Sequence, residues 1–171
     1  EKSFDFVWCS GVLHHTKDPY GGFAIIQKSL KSNGYIFIGL YNKYGRFRTF
    51  LRQILYKFFG ARLIMIMDPY LRSLDKRTAQ SKIDAWIQDQ YQHPEEQSHS
   101  FDEVLNWFDG HNIEFINSIP SIDLLDKSVS FKKNATGTGN FLSRLFIQIK
   151  MIFSKLGQEG GLFLMVGQKK S

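Results

Sequence analysis

The chain has 171 residues, 43% of them hydrophobic and 22% charged, which suits one packed domain and excludes wholesale disorder. No stretch approaches the ~20 apolar residues that span a bilayer, the opening EKSFDF does not read as a secretory signal, and the single Cys9 excludes an internal disulfide or a cysteine-based zinc site. The net charge of +6 is segregated: residues 1–82 hold 14 Lys/Arg against 5 Asp/Glu, residues 83–126 hold 10 acids and no Lys/Arg, and residues 127–171 hold 8 Lys/Arg against 1 acid.

Such blocks are expected to neutralise one another within the fold, with a basic surface for an anionic partner as the alternative. One cysteine fits a reducing compartment. A cytoplasmic location, with peripheral membrane contact left open, is the expectation. The five histidines are scattered apart from His14-His15, so no metal site is expected.

FDFVWCS, residues 4–10, is a short apolar run rich in aromatic residues and predicts a buried strand ended by Gly11. Asp18-Pro19 is a helix start, an acceptor for capping followed by a proline suited to the first turn. Phe23, Ile26 and Leu30 recur at helical spacing up to Asn33-Gly34, which is expected to end the helix. YIFIGLY, residues 35–41, is a second continuous apolar strand. Strand, helix and strand in about 40 residues make one βαβ unit, so the strands should be parallel. Their unbroken apolar character predicts cover on both faces of the sheet, with Trp8 in the core.

RFRTFLRQILYKFF, residues 46–59, predicts an amphipathic helix with Phe47, Phe50, Leu51, Ile54, Leu55 and Phe58 along one side. One or two further helices are expected before a loop ending at His93-Pro94. Ser100 followed by Glu103 is a capping box for a helix from Phe101 to about Phe108, closed by Gly110. Ile113–Ile116 predicts a strand stopped by Pro120. KKNATGTGN reads as a loop, Phe141–Leu156 as a helix, and LFLMVG after Gly160-Gly161 as a last strand.

FDFVWCSGVLHH followed by LKSNGYIFIGLYN resembles the fourth and fifth strands of class I S-adenosylmethionine-dependent methyltransferases. HSFDEVLNWFDGHNIEF resembles the helix and sixth strand that follow, and GGLFLMVGQK the last strand, which in that family is antiparallel. The resemblance implies a Rossmann-like α/β fold with a mostly parallel sheet and a reversed last strand, lacking its first three strands. It divides the chain into a βαβ core at 1–42, a helical insertion at 43–98, a helix and strand at 99–119, a loop and helix insertion at 120–157, and the last strand at 158–171.

In open α/β sheets, ligands bind beyond the carboxyl ends of the strands. The resemblance therefore places Cys9, Ser10, Gly11, Leu13 and His14 on the cofactor, S-adenosylmethionine. It places His15, Tyr41, Asn42 and Arg46 on the substrate side, with no general base assigned. The glycine-rich loop and the ribose-binding acid of the family belong to its earlier strands. Gly137-Thr138-Gly139 follows no strand and is no substitute. The expected partners are a small or lipid-like methyl acceptor and the N-terminal half of the domain, without which cofactor binding is expected to be weak or absent. Two alternatives stand beside this: a non-catalytic half-domain that binds a partner, and a nucleic-acid methyltransferase using the basic helices. Asp68-Pro69-Tyr70 only loosely imitates the strand-end motif of enzymes that methylate amino groups of DNA.

Overall fold

A computed structural model describes residues 3–75, 77, 79–92, 96–123, 137–153 and 161–171. The chain divides into two compact units, Glu1–Gly45 with Glu95–Ser171, and Arg46–Pro94.

Among the described residues the first unit is built on four strands: β1 (Phe4–Ser10), β2 (Leu30–Tyr41), β3 (Ile113–Ile119) and β4 (Leu162–Lys169). Their order is β1-β2-β4-β3. β1 and β2 are parallel, with Val7 opposite Ile36 and Ser10 opposite Gly39. β4 is antiparallel to both of its neighbours, so β3 runs in the direction of β2. The architecture is thus a mixed, Rossmann-like α/β sheet whose last strand in sequence is reversed.

Helix α1 (Pro19–Ile26) starts where the sequence predicts, with the Asp18 carboxylate accepting from the Gly21 N–H at 2.8 Å. It ends sooner than expected. Gln27–Ser29 tighten into a 3₁₀ turn and Leu30 already belongs to β2. The Asn33-Gly34 signal is used inside the strand instead. Phe4 pairs with Leu30 and Phe6 with Tyr35, so Lys31–Gly34 bulge opposite Asp5. Asn33 takes the left-handed conformation (φ 62°) that the bulge requires.

One sheet face carries the main core. Ile36, Ile38 and Leu40 of β2 join Phe163 and Met165 of β4 and Phe115 of β3. They pack with Phe23 of α1, with Phe101, Val104 and Phe108 of α6 (Phe101–Gly110), and with Ile147 and Met151 of α7 (Phe141–Met151). The capping box at the start of α6 is present in both halves: Ser100 Oγ accepts from the Glu103 N–H (3.2 Å) and Glu103 Oε2 accepts from the Ser100 N–H (3.4 Å). Gly110 is the last helical residue, and Asn112, at φ 56°, makes the reversal into β3. Asn140 and Ser143 form a second capping box on α7. Arg144 Nε on α7 meets Asp102 on α6 at 2.8 Å, and Lys43 meets Glu103 at 3.5 Å, so acidic and basic blocks do neutralise one another within this unit. Residues 124–136 and 154–160, with the start of the KKNATGTGN loop and the expected end of α7 at Leu156, lie outside the described residues.

The expectation of cover on both faces fails at β1. Val7 and Cys9 pack against the core, but Phe4, Phe6 and Trp8 on the other face are 55%, 52% and 56% exposed. Trp8 is therefore a surface residue, its ring resting on Phe37 at 5.3 Å. The physical reason is positional. Among the described residues β1 is an edge strand, and a doubly apolar strand needs a layer on each side to be buried.

The second unit is helical: α2 (Phe47–Phe59), α3 (Ala61–Met67), α4 (Pro69–Ser73) and α5 (Gln80–Tyr91). Among the described residues of this unit three helices therefore follow α2, where one or two are expected; His93-Pro94 lies outside the described residues. A small core of Ile64, Leu71, Ile87 and Tyr91 holds the unit together. Buried Asp68 caps α4 through the Tyr70 and Leu71 N–H groups and accepts from Trp86 Nε1 (3.0 Å) and the Tyr91 hydroxyl. Burial alone would raise its pKa, but these donors hold the carboxylate below its usual range. Asp68-Pro69-Tyr70 is thus a helix start. No helix among the described residues is long and apolar enough to cross a membrane.

Candidate functional site

The carboxyl ends of β1 and β2 emerge at the same rim of the sheet because the two strands are parallel, with Ser10 at the end of β1 opposite Gly39 near the end of β2. At the first end, the Gly11 N–H donates to the Gly39 carbonyl at 3.2 Å, and Gly11 turns away at φ +76°. That conformation favours glycine. No atom lies within 4 Å of where a Cβ would stand, so the space beside this backbone is open to a ligand. Gly39 serves a different need: a Cβ there would overlap the Ser10 hydroxyl.

The chain then makes a 3₁₀ turn, Leu13–His15. Leu13 and His14 are buried, and Leu13 joins the main core. The His14 ring lies 4.1 Å from that of Tyr41 and 4.3 Å from that of His15, and the His15 ring stands edge-on to Tyr41 at 6.0 Å. Cys9 is half-buried. Burial pushes its thiol up, which favours the protonated form, against a smaller opposing effect of the Leu13 N–H.

Cys9, Ser10, Gly11, Leu13, His14, His15 and Tyr41 are therefore gathered at one strand-end rim. Two other residues expected there are otherwise engaged. The Asn42 amide is wholly buried. It donates to Gln148 Oε1 (2.8 Å) and to the His99 carbonyl (3.3 Å), and its Oδ1 accepts from the N–H groups of Tyr44 and Gly45. It holds the turn after β2. Arg46 belongs to the helical unit, where it is buried and donates to Gln90 Oε1 at 2.8 Å.

The structure adds a segment that sequence reasoning passed over. Residues 97–99 lie along the two strand ends: the Gln97 N–H donates to the His14 carbonyl (2.8 Å), and the His99 N–H to the Tyr41 carbonyl (2.7 Å). His99 Nδ1 is 2.8 Å from Glu103 Oε1, while its enclosed Nε2 has no hydrogen-bond partner. The ring stands edge-on to Trp107 at 5.1 Å. Burial would raise the Glu103 pKa, yet the hydrogen bond and charge of His99, with Lys43 beside them, hold it below the usual carboxylate range. The signal was present as a histidine four residues before the glutamate of a capping box, a spacing that brings side chains together at a helix start. Among the described residues no cluster of His, Cys, Asp and Glu could hold a metal ion.

Residues 1–38, which contain β1, the turn and most of β2, match a family model described as a methyltransferase domain. The fold is similar to that of PKMT2 from Rickettsia typhi, with a TM-score of 0.62 at 12% sequence identity, covering 99% of this chain and 37% of that one. A chain from the complex between the Haloferax volcanii Trm112 methyltransferase activator and a candidate methyltransferase aligns at 12% identity and a TM-score of 0.46, covering 100% of this chain and 56% of that one. None of the curated proteins matches the sequence. The chain spans well under two thirds of the length of either structure. Residues 1–38, which hold most of the two strands that form the rim, thus match a methyltransferase domain, and they sit on a sheet with a reversed last strand whose fold is similar to that of PKMT2.

Proposed function

We propose that the chain is the C-terminal part of an S-adenosylmethionine-dependent methyltransferase domain that acts on a small or lipid-like acceptor. The observation that carries this is the pair of strand ends, Ser10-Gly11 and Tyr41-Asn42, side by side on co-directional strands, with open space beside Gly11. The residues at the rim fit the cofactor. Gly11 is exposed, with room for a zwitterion to approach its backbone, and Leu13 and His14 are buried just after it. His15 and Tyr41 are the substrate-side candidates, with Asn42 as the support of the turn and Arg46 assigned only by resemblance.

The bound cofactor supplies an activated sulfonium methyl. The protein's task is then to hold acceptor and methyl in line, and a base is needed only where the acceptor must lose a proton. Titration of the isotope-labelled chain with S-adenosylmethionine, followed by nuclear magnetic resonance, tests the site. Shifts should centre on Gly11, Leu13, His14, His15 and Tyr41; shifts confined elsewhere would remove the reading.

A second reading, a half-domain that binds a protein partner, is favoured by one observation: the exposed aromatic face of edge strand β1. Size-exclusion chromatography of the chain and of a Phe6→Ser/Trp8→Ser variant separates the two. Association lost in the variant supports the partner reading, and a monomer in both argues against it.

A further inference from the structure

We propose that the outward face of α2 is a docking surface for an anionic lipid bilayer. The argument begins with helical arithmetic. At ~100° per residue, Phe47, Leu51, Ile54 and Phe58 fall on one narrow stripe, with Phe50 beside it. In an ordinary surface helix such a stripe faces the core. Here it faces out: Phe50 is 54% exposed and Phe58 78%, and Phe47, Leu51 and Ile54 are exposed too.

The inward side of the same helix is polar. Thr49 is buried, and it accepts a hydrogen bond from Arg52 at 3.1 Å. Gln53 Nε2 donates to the Gln90 carbonyl at 2.9 Å, and Tyr56 stacks on Tyr91 at 5.9 Å. The helix is thus anchored to α5 largely by polar and aromatic contacts, and its apolar side is left over.

Charge decides what the leftover face fits. Arg48 and Lys57 flank the stripe on opposite sides, Arg62 follows on α3, and no acid occurs from residue 43 to 62. None of the ion pairs among the described residues involves Arg48, Lys57 or Arg62. An apolar centre bordered by cations is the arrangement of a helix lying in a bilayer interface. Aromatic and aliphatic side chains enter the acyl boundary, and long basic side chains reach back to phosphate headgroups. Thirteen residues make a rod of only ~20 Å, too short to cross the ~30 Å hydrocarbon layer, so the helix lies on the membrane. A nucleic acid would want the cations at the centre of the surface.

The test needs no cofactor, so its failure and that of the methyltransferase reading are separable. The full chain is sedimented with vesicles of phosphatidylcholine alone or mixed with phosphatidylserine. The mixed vesicles should bind it at least about tenfold better. The Phe50→Ser/Ile54→Ser/Phe58→Ser variant, its fold checked by circular dichroism and thermal melting, should lose about tenfold or more of that binding. Arg48→Glu/Lys57→Glu, which keeps the stripe, should erase the preference for phosphatidylserine. Equal binding by wild type and the triple variant overturns the proposal, as does equal binding to both vesicle types. A wild-type dimer that the triple variant dissolves, with no vesicle binding by either, would assign the stripe to a second copy of the chain instead.

Discussion

The imidazole of His14 lies against the ring of Tyr41, centroids 4.1 Å apart and planes tilted by 39°. The contact ties the turn after β1 to the end of β2, so the two strand ends form one wall. Tyr41 is almost fully buried, and Tyr41→Ala should cost about 3 kcal/mol or more in urea unfolding. A double-mutant cycle with His14→Ala should return a coupling of about 0.5–1.5 kcal/mol. A coupling of zero would mean the rings are neighbours without mutual support.

Gly39 should not tolerate a side chain. A Cβ at this position meets the Ser10 hydroxyl, so Gly39→Ala is expected to lower stability by about 1–3 kcal/mol. Adding Ser10→Gly removes the group it strikes and should recover part of the loss. If the single variant melts with the wild type, the strand ends are less tightly juxtaposed than described.

His111 and Glu103 give stability a pH dependence in separate windows, with Asp68 adding to the lower one. Burial holds the His111 imidazole below its ordinary value of 6.5, and Lys169 and Lys28 add to this. The unfolded chain then binds the proton more readily, so stability is complete above 6.5 and declines as the pH falls through it. His111→Gln should flatten that slope. Glu103 is also depressed, from 4.5, so its contribution is present above that value and is lost at lower pH. Glu103→Gln should flatten this second decline. Chemical unfolding across pH 3–8, a range of about five units, reads both. Unchanged slopes in the variants would remove the assignments.

The Ser100 hydroxyl closes the first turn of α6, next to His99. Ser100→Ala should cost about 1 kcal/mol, seen as a lower melting temperature, whereas Ser100→Asp, which keeps an acceptor, should cost little. Equal losses in both would show that the cap contributes nothing.

Isothermal titration of S-adenosylmethionine into the chain should give binding weaker than micromolar. The strand-end rim offers one wall, and the family's glycine-rich loop is not among these residues. Micromolar affinity would mean that this wall suffices.

The sequence by itself determined the local elements with strong chemistry. Asp18-Pro19 starts α1, Ser100 and Glu103 cap α6, and the runs FDFVWCS and YIFIGLY are strands, because capping and apolar periodicity act over a few residues. The resemblance rested on those same runs, so the rim at Gly11 and Tyr41 was legible before any fold was known. Only the tertiary structure decided the rest. An apolar stripe does not say which way it faces: on β1 and α2 it faces out, because burial depends on whether another layer arrives, which the stripe does not encode. Asn33-Gly34 looked like a helix end and became a strand bulge once Phe6 paired with Tyr35. His99 reached Tyr41 across 58 residues of chain through a backbone bond, a long-range pairing that no local spacing announces.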